Sequence, residues 1–321
     1  MHDNGVVSYI LVHDSHSESK NAIQDFCHNN QLIRLREPKA DIFEMLRRNI
    51  NLGAIFLAED KGNSDGDGVN LGVKIHKLRP EVPIFLRTNT VKNREDLPER
   101  AQHCFAGIYH FDRIHQLQDL IKTHIFSDDY PNHIVNAIQT LSTEVIKSQL
   151  IDMTVTVDSP SLVNDRFIHG NLHSIIPLES SWCKGHMMIQ VEQEDIGQLI
   201  NSGQTFLGTE DSAGFRDING WLSEMTNLIW GILKSKLLSQ ISNDLPISDV
   251  QLPVITNHNE SYITFGTSKP YLSIRYTFSD NHAKVPDITL YQKFIFSITW
   301  TPTLAAEYQI VLNEDDDDCL F

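Results

Sequence analysis

The stretch GWLSEMTNLIWGILKSKL, residues 220–237, contains no proline and places its apolar residues at helical spacing. With about 3.6 residues per helical turn, apolar residues that recur every three or four positions fall on one stripe. The members of this stripe are Ile218, Leu222, Met225, Ile229, Leu233 and Leu237. An apolar stripe is typical of a helix that packs one face against a core. The sequence therefore predicts a long helix that is docked by this stripe.

The opposite side of the same helix carries one acid, one amide and two glycines. Glu224 and Asn227 are neighbours on one face, and Gly220 and Gly231 extend the line one turn before and one turn after them. A glycine inside a helix costs about 1 kcal/mol relative to alanine. Two such glycines favour a low strip that another backbone can approach. An ordinary solvated face with incidental glycines is the alternative.

The remainder of the second half mixes helices and strands. HIVNAIQTLSTEVIKSQL (133–150) predicts a helix, and MTVTV (153–157) and GHMMIQVEQ (185–193) predict strands. YLSIRYTF (271–278) and KFIFSITW (293–300) alternate apolar and polar residues, as antiparallel strands with one buried face do. Their apolar sets are Leu272, Ile274, Tyr276 and Phe278, then Phe294, Phe296, Ile298 and Trp300. We expect an α+β domain whose long helices pack on a largely antiparallel sheet.

The first half of the chain has a different pattern of apolar residues. Five short apolar runs, which include VVSYILV (6–12), AIFLA (54–58), PIFLR (83–87) and GIYHF (107–111), are each followed by a helical or irregular stretch. Buried strands that alternate with helices favour a doubly wound, five-stranded parallel sheet covered on both faces. The fold class expected for the whole chain is thus α/β followed by α+β.

These patterns predict where the domains begin and end. Residues 1–125 form the α/β domain, the polar segment FSDDYPN (126–132) is a linker, and residues 133–303 form the α+β domain. The last segment, 304–321, contains the acidic run NEDDDDC, which repels itself and is expected to be disordered.

The charge balance and hydropathy exclude several classes of partner. A formal charge of −16, from 42 acidic and 26 basic residues, opposes binding to nucleic acid or to an anionic membrane, because both require clustered Lys and Arg. No stretch reaches the roughly 18–20 apolar residues of a membrane span, and the start of the chain does not resemble a secretory signal. A cytoplasmic protein is expected.

No metal site and no resident cofactor are predicted from the sequence. The cysteines, Cys27, Cys104, Cys183 and Cys319, form no CxxC pair, which indicates reduced structural thiols. The 15 histidines are scattered, and their densest cluster, HDSHSES (13–19), matches no metal-ligand motif. Phosphate-binding loops and nucleophile elbows are also absent from the sequence.

The tetrapeptide EMTN (224–227), followed by LPVIT (252–256), resembles the signature of the CheC/CheX/FliY phosphatases. These proteins remove phosphate from phosphorylated receiver domains of the CheY type. The segments HIVNAIQTL, SSWCKGHMMIQVEQEDIGQLI and KFIFSITW look like the corresponding parts of CheX, so the resemblance spans about residues 133–300. It implies that Asn227 is the catalytic amide, which orients the attacking water, and that Glu224 is the acid that pairs with a lysine of the partner.

Some positions depart from the family pattern. Gly220 stands where the family often has Asp or Ser, and the spacing to Pro253 is a few residues longer. In the first helix Lys147 occupies the slot of a second asparagine, so one site per chain is implied, as in CheX.

The resemblance also implies the partners. The expected substrate is a phosphorylated CheY-like response regulator, which carries its own Mg²⁺, so this chain needs no cofactor. A homodimer joined at sheet edges is an option that the sequence leaves open. Two functions remain: a phosphatase that acts in trans, and a non-catalytic adaptor that binds signalling partners.

The first 125 residues themselves resemble a receiver domain. ILVHDS ends the first predicted strand, with Asp14 and Ser15 where receivers have an acid pair that holds Mg²⁺. DGVNLGVKIHKLRPEVPIFLRT (67–88) is similar to the third helix and fourth strand of a receiver, with Thr88 at the position of the phosphate-contacting threonine.

Two further receiver positions are degenerate. The phosphoacceptor slot can be aligned with Ala58, Glu59 or Asp60; the apolar run favours Glu59, and counting back from Asp67 favours Asp60. The lysine slot holds Phe111, Asp112 or their neighbours, and none of these is a lysine. Because an aspartyl phosphate needs cations around it, the resemblance implies a pseudo-receiver that serves docking or dimerisation.

Overall fold

The computed structural model describes residues 5–14, 16–35, 42–48, 51–59, 67–126, 130–179, 183–207, 212–238, 255–257, 262–265 and 269–298. Two lobes are apparent: an N-terminal lobe up to residue 126 and a C-terminal lobe from residue 130. The strands of the N-terminal lobe are β1 Ser8–His13, β2 Leu32–Leu35, β3 Leu52–Ala58, β4 Ile84–Arg87 and β5 Gly107–Tyr109. Its helices are α1 Ser17–Asn29, α2 Ile42–Arg48, α3 Asp67–Leu78, α4 Glu99–Gln102 and α5 Gln116–His124.

The N-terminal lobe is the doubly wound parallel sheet that the sequence predicts. Its strand order is β2-β1-β3-β4-β5, and every described pairing is parallel. All seven residues of β3 are buried, because helices cover both faces of the sheet. One face packs around Leu46, Ile75 and Leu86, and the other around Phe56 and Leu117.

The elements of the C-terminal lobe follow the linker region. Its helices are α6 Asn132–Ser148, α7 Gln193–Asn201 and α8 Phe215–Leu233, with one π-helical turn, Lys234–Leu238, after α8. Its strands are β6 Met153–Val157, β7 Ser161–Val163, β8 Leu172–Glu179, β9 Cys183–Val191, β10 Ile255–Asn257, β11 Tyr262–Thr264, β12 Tyr271–Asp280 and β13 Ile288–Ile298.

The main sheet of this lobe is antiparallel, in the order β6-β12-β13-β9-β8, with β7 also paired to β12. Helices α6 and α8 lie side by side on one face. The apolar set predicted for β12 (Leu272, Ile274, Tyr276 and Phe278) is completely buried there. Phe294 of β13 is buried too, whereas the side chains of Phe296 and Ile298, and all of Trp300, lie outside the described residues. The expected α+β architecture is confirmed.

The second face of this sheet is partly covered by the chain itself. Val163, Met188, Phe265, Tyr271 and Ile295 form a separate buried cluster there. Strands β7, β8, β10 and β11 were not predicted from the sequence. Three of them have only three residues, which is too short for a periodicity signal. In β8, Pro177 obscured the strand, although proline is tolerated on an edge strand.

The two lobes meet along the start of β1 and β3. Val7 forms a parallel bridge with Ser161, and the Ser8 hydroxyl donates to the Leu162 carbonyl at 2.8 Å. Tyr130, from the segment predicted as a linker, is buried and donates its hydroxyl hydrogen to the Pro270 carbonyl at 2.8 Å. Tyr130 and the half-buried Phe126 of that segment are therefore packed against the core.

Buried charges lie at the same junction. The Asp165 carboxylate is 3.6 Å from the Arg79 guanidinium of the N-terminal lobe and 3.9 Å from the Lys293 ammonium of β13. It also accepts a hydrogen bond from the Leu52 N–H at 3.1 Å. Burial raises the pKa of Asp165 and lowers that of Lys293, and their mutual attraction opposes both shifts. Charges from both lobes thus compensate one another where water is excluded.

Membrane-spanning helices are absent from the part of the chain that the structure describes, since none of its helices is both long and apolar enough.

Candidate functional site

Helix α8 has the orientation that its apolar stripe predicts. Every member of the stripe is buried: Ile218, Leu222, Met225, Ile229, Leu233 and, in the π-helical turn, Leu237. The helix begins five residues earlier than the quoted stretch, at Phe215. At that end the Gly214 N–H donates to the Asp217 carboxylate at 2.8 Å, which satisfies one of the free donors of the first turn.

The opposite face of α8 carries the predicted residues at the surface. Glu224, Asn227, Gly220 and Gly231 are all exposed, and together they are called the α8 ridge. A methyl group added at either glycine would meet no atom of the described chain within 4 Å. The side chains of Glu224 and Asn227 make no hydrogen bond or ion pair with the residues that the structure describes. None of the described residues therefore covers the ridge.

The helix beneath the ridge is held in place from the sheet side. Thr226 donates its hydroxyl hydrogen to the Leu222 carbonyl at 2.7 Å, and its oxygen lies 2.5 Å from the Ser174 hydroxyl of β8. Met225 and Ile229 belong to the lobe's main core. Side chains on well-packed helices are positioned more precisely than side chains on loops, so the ridge presents its amide from a rigid support.

At position 147 the neighbouring helix α6 carries a lysine rather than an amide. Lys147 is exposed on α6, at the position where the resemblance places an asparagine in related proteins. Pro253 of the LPVIT segment lies outside the described residues, and the segment's last two residues begin β10, which pairs with β11.

The receiver-like site lies at the carboxyl ends of β1, β3 and β4, and it contains Asp14, Glu59, Arg87 and Thr88. The guanidinium of Arg87 donates to both carboxylate oxygens of Asp14, from Nε at 2.6 Å and from Nη2 at 3.2 Å. The side chains of this pair are only 2% and 1% exposed. Both carboxylate oxygens of Asp14 are thus already engaged by a buried guanidinium.

Glu59 is engaged within the same site. It follows β3 directly, and its N–H donates to the Arg87 carbonyl at 2.8 Å. The Thr88 hydroxyl donates to one carboxylate oxygen, and the Thr90 hydroxyl donates to the other at 2.6 Å. Of the phosphoacceptor alternatives, Ala58 ends the strand and Glu59 reaches the site. Asp60 and Ser15 lie outside the described residues.

The lysine slot has no cation directed into the site from its described neighbours. Phe111 begins a short 3₁₀ helix, and Asp112 is exposed beside Arg113 at 3.8 Å. Tyr109 of β5 is buried, with no hydrogen-bond partner for its hydroxyl among the described atoms. Burial, and then the negative charge of Asp14, raise the pKa of Tyr109, so the phenol stays neutral.

Arg87 is a residue of this site that was not identified from the sequence. Its signal was present, because a buried strand that ends in a cation needs an internal counter-charge. Asp14 was identified, but the two positions are 73 apart in the sequence, and no local pattern links them.

Three possible metal ligands also come together in the N-terminal lobe, where the sequence predicted none. The donor atoms of His76, His103 and Cys104 lie within 4.8 Å of one another. Burial, followed by the proximity of His103, lowers the pKa of His76.

No protein-family model matches the sequence, and no curated protein matches it. Among solved structures, a CheC-like superfamily protein from Shewanella sp. PV-4 is 17% identical, with 52% of this chain and 99% of that chain covered and a TM-score of 0.34. A response regulator from Thermotoga maritima is 17% identical, with coverages of 36% and 99% and a TM-score of 0.26. The CheX–CheY–BeF₃–Mg²⁺ complex from Borrelia burgdorferi gives 11% identity, coverages of 51% and 97%, and a TM-score of 0.29. Scores this low leave the function to be argued from the site's own residues.

Proposed function

We propose that the protein dephosphorylates the aspartyl phosphate of a CheY-like response regulator, and that the α8 ridge is the catalytic surface. Asn227 orients the attacking water, and Glu224 pairs with the partner's lysine. The observation that supports this most directly is that both side chains are exposed on a rigid helix, without partners among the described residues. An acid and an amide of this kind are available to a second protein.

Hydrolysis of an aspartyl phosphate requires correct positioning of the attacking water more than additional reactive groups. In phosphoryl transfer, in-line geometry and charge stabilisation supply most of the catalysis. The partner's receiver domain brings its own Mg²⁺, lysine and threonine around the phosphoryl group. A water molecule held in line is what remains to be supplied, and a carboxamide can hold water by hydrogen bonding. Asn227 has the chemistry to do this.

Glu224 contributes to recognition. It lies one turn before Asn227 on the same face, so both side chains can enter one cleft of the partner. A carboxylate that meets a lysine fixes register and orientation more than it adds affinity. Gly220 and Gly231 keep the ridge low at both ends, which allows the two backbones to approach.

The state of the receiver-like site supports a substrate on a separate protein and not on this chain's own N-terminal lobe. Asp14 is paired with Arg87, and the carboxylate oxygens of Glu59 are bonded by Thr88 and Thr90. Arg87 already neutralises the buried Asp14 carboxylate, and a metal ion at Asp14 would leave this buried guanidinium unpaired, which costs several kcal/mol and disfavours Mg²⁺ here. We propose that the N-terminal lobe is a pseudo-receiver, which is not phosphorylated and serves docking.

The test is phosphate release from a panel of phosphorylated receiver domains, with and without the full chain. The Asn227→Ala variant should lose at least about 100-fold in rate, as expected when a positioned hydrogen-bonding group is removed. Its melting temperature should not change, because the side chain is exposed. The control is Asn219→Ala on the same helix, roughly 80° around the axis from Asn227. Unchanged turnover by Asn227→Ala would refute the catalytic assignment.

The adaptor function is the second candidate, and Gly220 favours it. The family often has Asp or Ser at this position, whereas Gly220 brings no side chain to the exposed ridge. An adaptor would bind phosphorylated receivers without releasing phosphate, and Asn227→Ala would then alter affinity alone. A homodimer is the other partner proposed, and analytical ultracentrifugation of the full chain tests it.

A further inference from the structure

The ends of two helices in the N-terminal lobe bring together three side chains that the proposed reaction does not use. His76 lies in the last turn of α3, and His103 and Cys104 directly follow α4. The donor atoms of all three lie within 4.8 Å of one another. The two imidazole rings meet edge to face, with their centroids 5.8 Å apart.

This set of donors has a definite metal preference. Imidazole nitrogen and thiolate sulfur are the ligands of Zn²⁺ in proteins, and hard ions such as Mg²⁺ and Ca²⁺ prefer oxygen. In a tetrahedral zinc site with bonds of about 2.0–2.3 Å, the ligand atoms are roughly 3.3–3.6 Å apart. The three donors, which lie within 4.8 Å of one another, therefore need to approach by at most roughly 1.2–1.5 Å to reach bonding geometry.

The surroundings allow that closure. Cys104 is the fixed member, because it is buried in the lobe's core cluster and its N–H donates to the Ala101 carbonyl at 2.9 Å. His103 is exposed and His76 is half-buried, so both rings can rotate towards the sulfur. The Cys104 thiol now donates to the Arg100 carbonyl over a long S···O distance of 3.5 Å, a weak hydrogen bond that metal binding would replace.

Charge and solvent access favour a cation at the same point. The C-terminal end of α3, which carries His76, is the negative end of the helix dipole. The three side chains also line a cavity of about 500 Å³ between the lobes, together with Glu81 from the N-terminal lobe and Asn164 from the C-terminal lobe. An ion can enter from this cavity, and water in the cavity can fill a fourth coordination position.

We propose that His76, His103 and Cys104 bind one thiophilic divalent transition-metal ion, Zn²⁺ by preference, at the mouth of the cavity between the lobes. Binding converts the Cys104 thiol to a thiolate and releases its proton to solvent. This site could not be predicted from the sequence, because His76 is separated from the other two ligands by more than 20 residues and no ligand motif joins them.

The test uses the full chain, freed of metal by chelation, without an affinity tag of histidines. Titration with Co²⁺ should develop the intense visible bands of tetrahedral cobalt and a near-ultraviolet thiolate-to-cobalt charge-transfer band, saturating at one ion per chain. Zn²⁺ should abolish both signals by displacing the cobalt. A titration without these bands, or with octahedral cobalt alone, overturns the proposal.

Variants assign the ligands. Cys104→Ser should remove the charge-transfer band, and His103→Ala should weaken Co²⁺ binding by at least about tenfold. Because His103 is exposed, its variant folds normally and keeps the proposal testable if Cys104→Ser is unstable. Cys27→Ser and His115→Ala are the matched controls and should bind like the parent. A charge-transfer band that survives in Cys104→Ser, or parent-like affinity in His103→Ala, contradicts the assigned site.

Discussion

The receiver-like site and the α8 ridge both present a carboxylate, but in opposite circumstances. In the receiver-like site, Asp14 and Glu59 are bonded by Arg87, Thr88 and Thr90. On the ridge, Glu224 and Asn227 are exposed and make no such contact with the described residues. A buried charge needs a partner within the same molecule, whereas an exposed charge is solvated and can bind a second molecule.

This difference predicts that substitutions in the two regions affect different properties of the protein. Changes in the receiver-like site should lower the free energy of unfolding and leave catalysis alone. Changes on the ridge should alter catalysis or recognition and leave stability alone. Each of the following changes addresses one side of this contrast, beginning with the largest expected effect.

Replacing Arg87 with methionine leaves the Asp14 carboxylate buried without a cation. Breaking a buried ion pair in this way costs about 3–5 kcal/mol, and we expect a loss of that size in the free energy of unfolding measured with urea. Arg275→Met, in a half-exposed pair 3.4 Å from Asp158, should cost less than about 1 kcal/mol. Phosphate release by the folded Arg87→Met protein should equal that of the parent. A stability loss no larger than that of Arg275→Met would show that Asp14 does not depend on Arg87.

Acid should destabilise the folded protein through His169. Burial, and then the charges of Lys293 and Arg275, lower the pKa of His169 to about 4. The unfolded chain takes up this proton near pH 6.5 and the folded chain does not, so stability falls as the pH drops from about 6.5 to 4. Urea titrations across this range should show a shallower pH dependence for His169→Gln than for the parent. Identical slopes would contradict the assignment.

Glu224→Gln should change recognition moderately. Exposed ion pairs contribute about 1 kcal/mol or less, so KM for the phosphorylated receiver should rise about two- to fivefold with little change in kcat. The dependence of KM on salt should weaken as well. Glu144→Gln, an exposed acid on α6 beside Lys147, is the control and should behave like the parent, since one site per chain is expected.

Substitution of the ridge glycines should change the free energy of unfolding least. It should raise this free energy, whereas Arg87→Met lowers it. Gly220→Ala and Gly231→Ala should each raise the free energy of unfolding by about 1 kcal/mol, because alanine is the better helix former and neither methyl group meets a described atom within 4 Å. KM should rise if the low strip admits the partner. Gly203→Ala, at a φ of +72°, should instead lower stability. If Gly220→Ala and Gly231→Ala keep the KM of the parent, the glycines are not required for approach of the partner.

Much of the fold could be predicted because its signals are periodic. Continuous apolar runs located the parallel strands, and the spacing of Ile218, Met225 and Ile229 gave the buried side of α8. The outward position of Glu224 and Asn227 followed from the same periodicity. Strand β8 was missed because Pro177 interrupts its pattern, and β7 because three residues carry no period.

The sequence alone indicated the fold class of each lobe, α/β and then α+β, and the exposed face of α8, because hydrophobic periodicity is a local property of the chain. The tertiary structure alone decided which charges meet: Arg87 with Asp14, Asp165 with Arg79 and Lys293, and His76 with His103 and Cys104. The physical reason is that side chains far apart in sequence come within bonding distance only when sheets and helices have packed, and no local pattern records that distance.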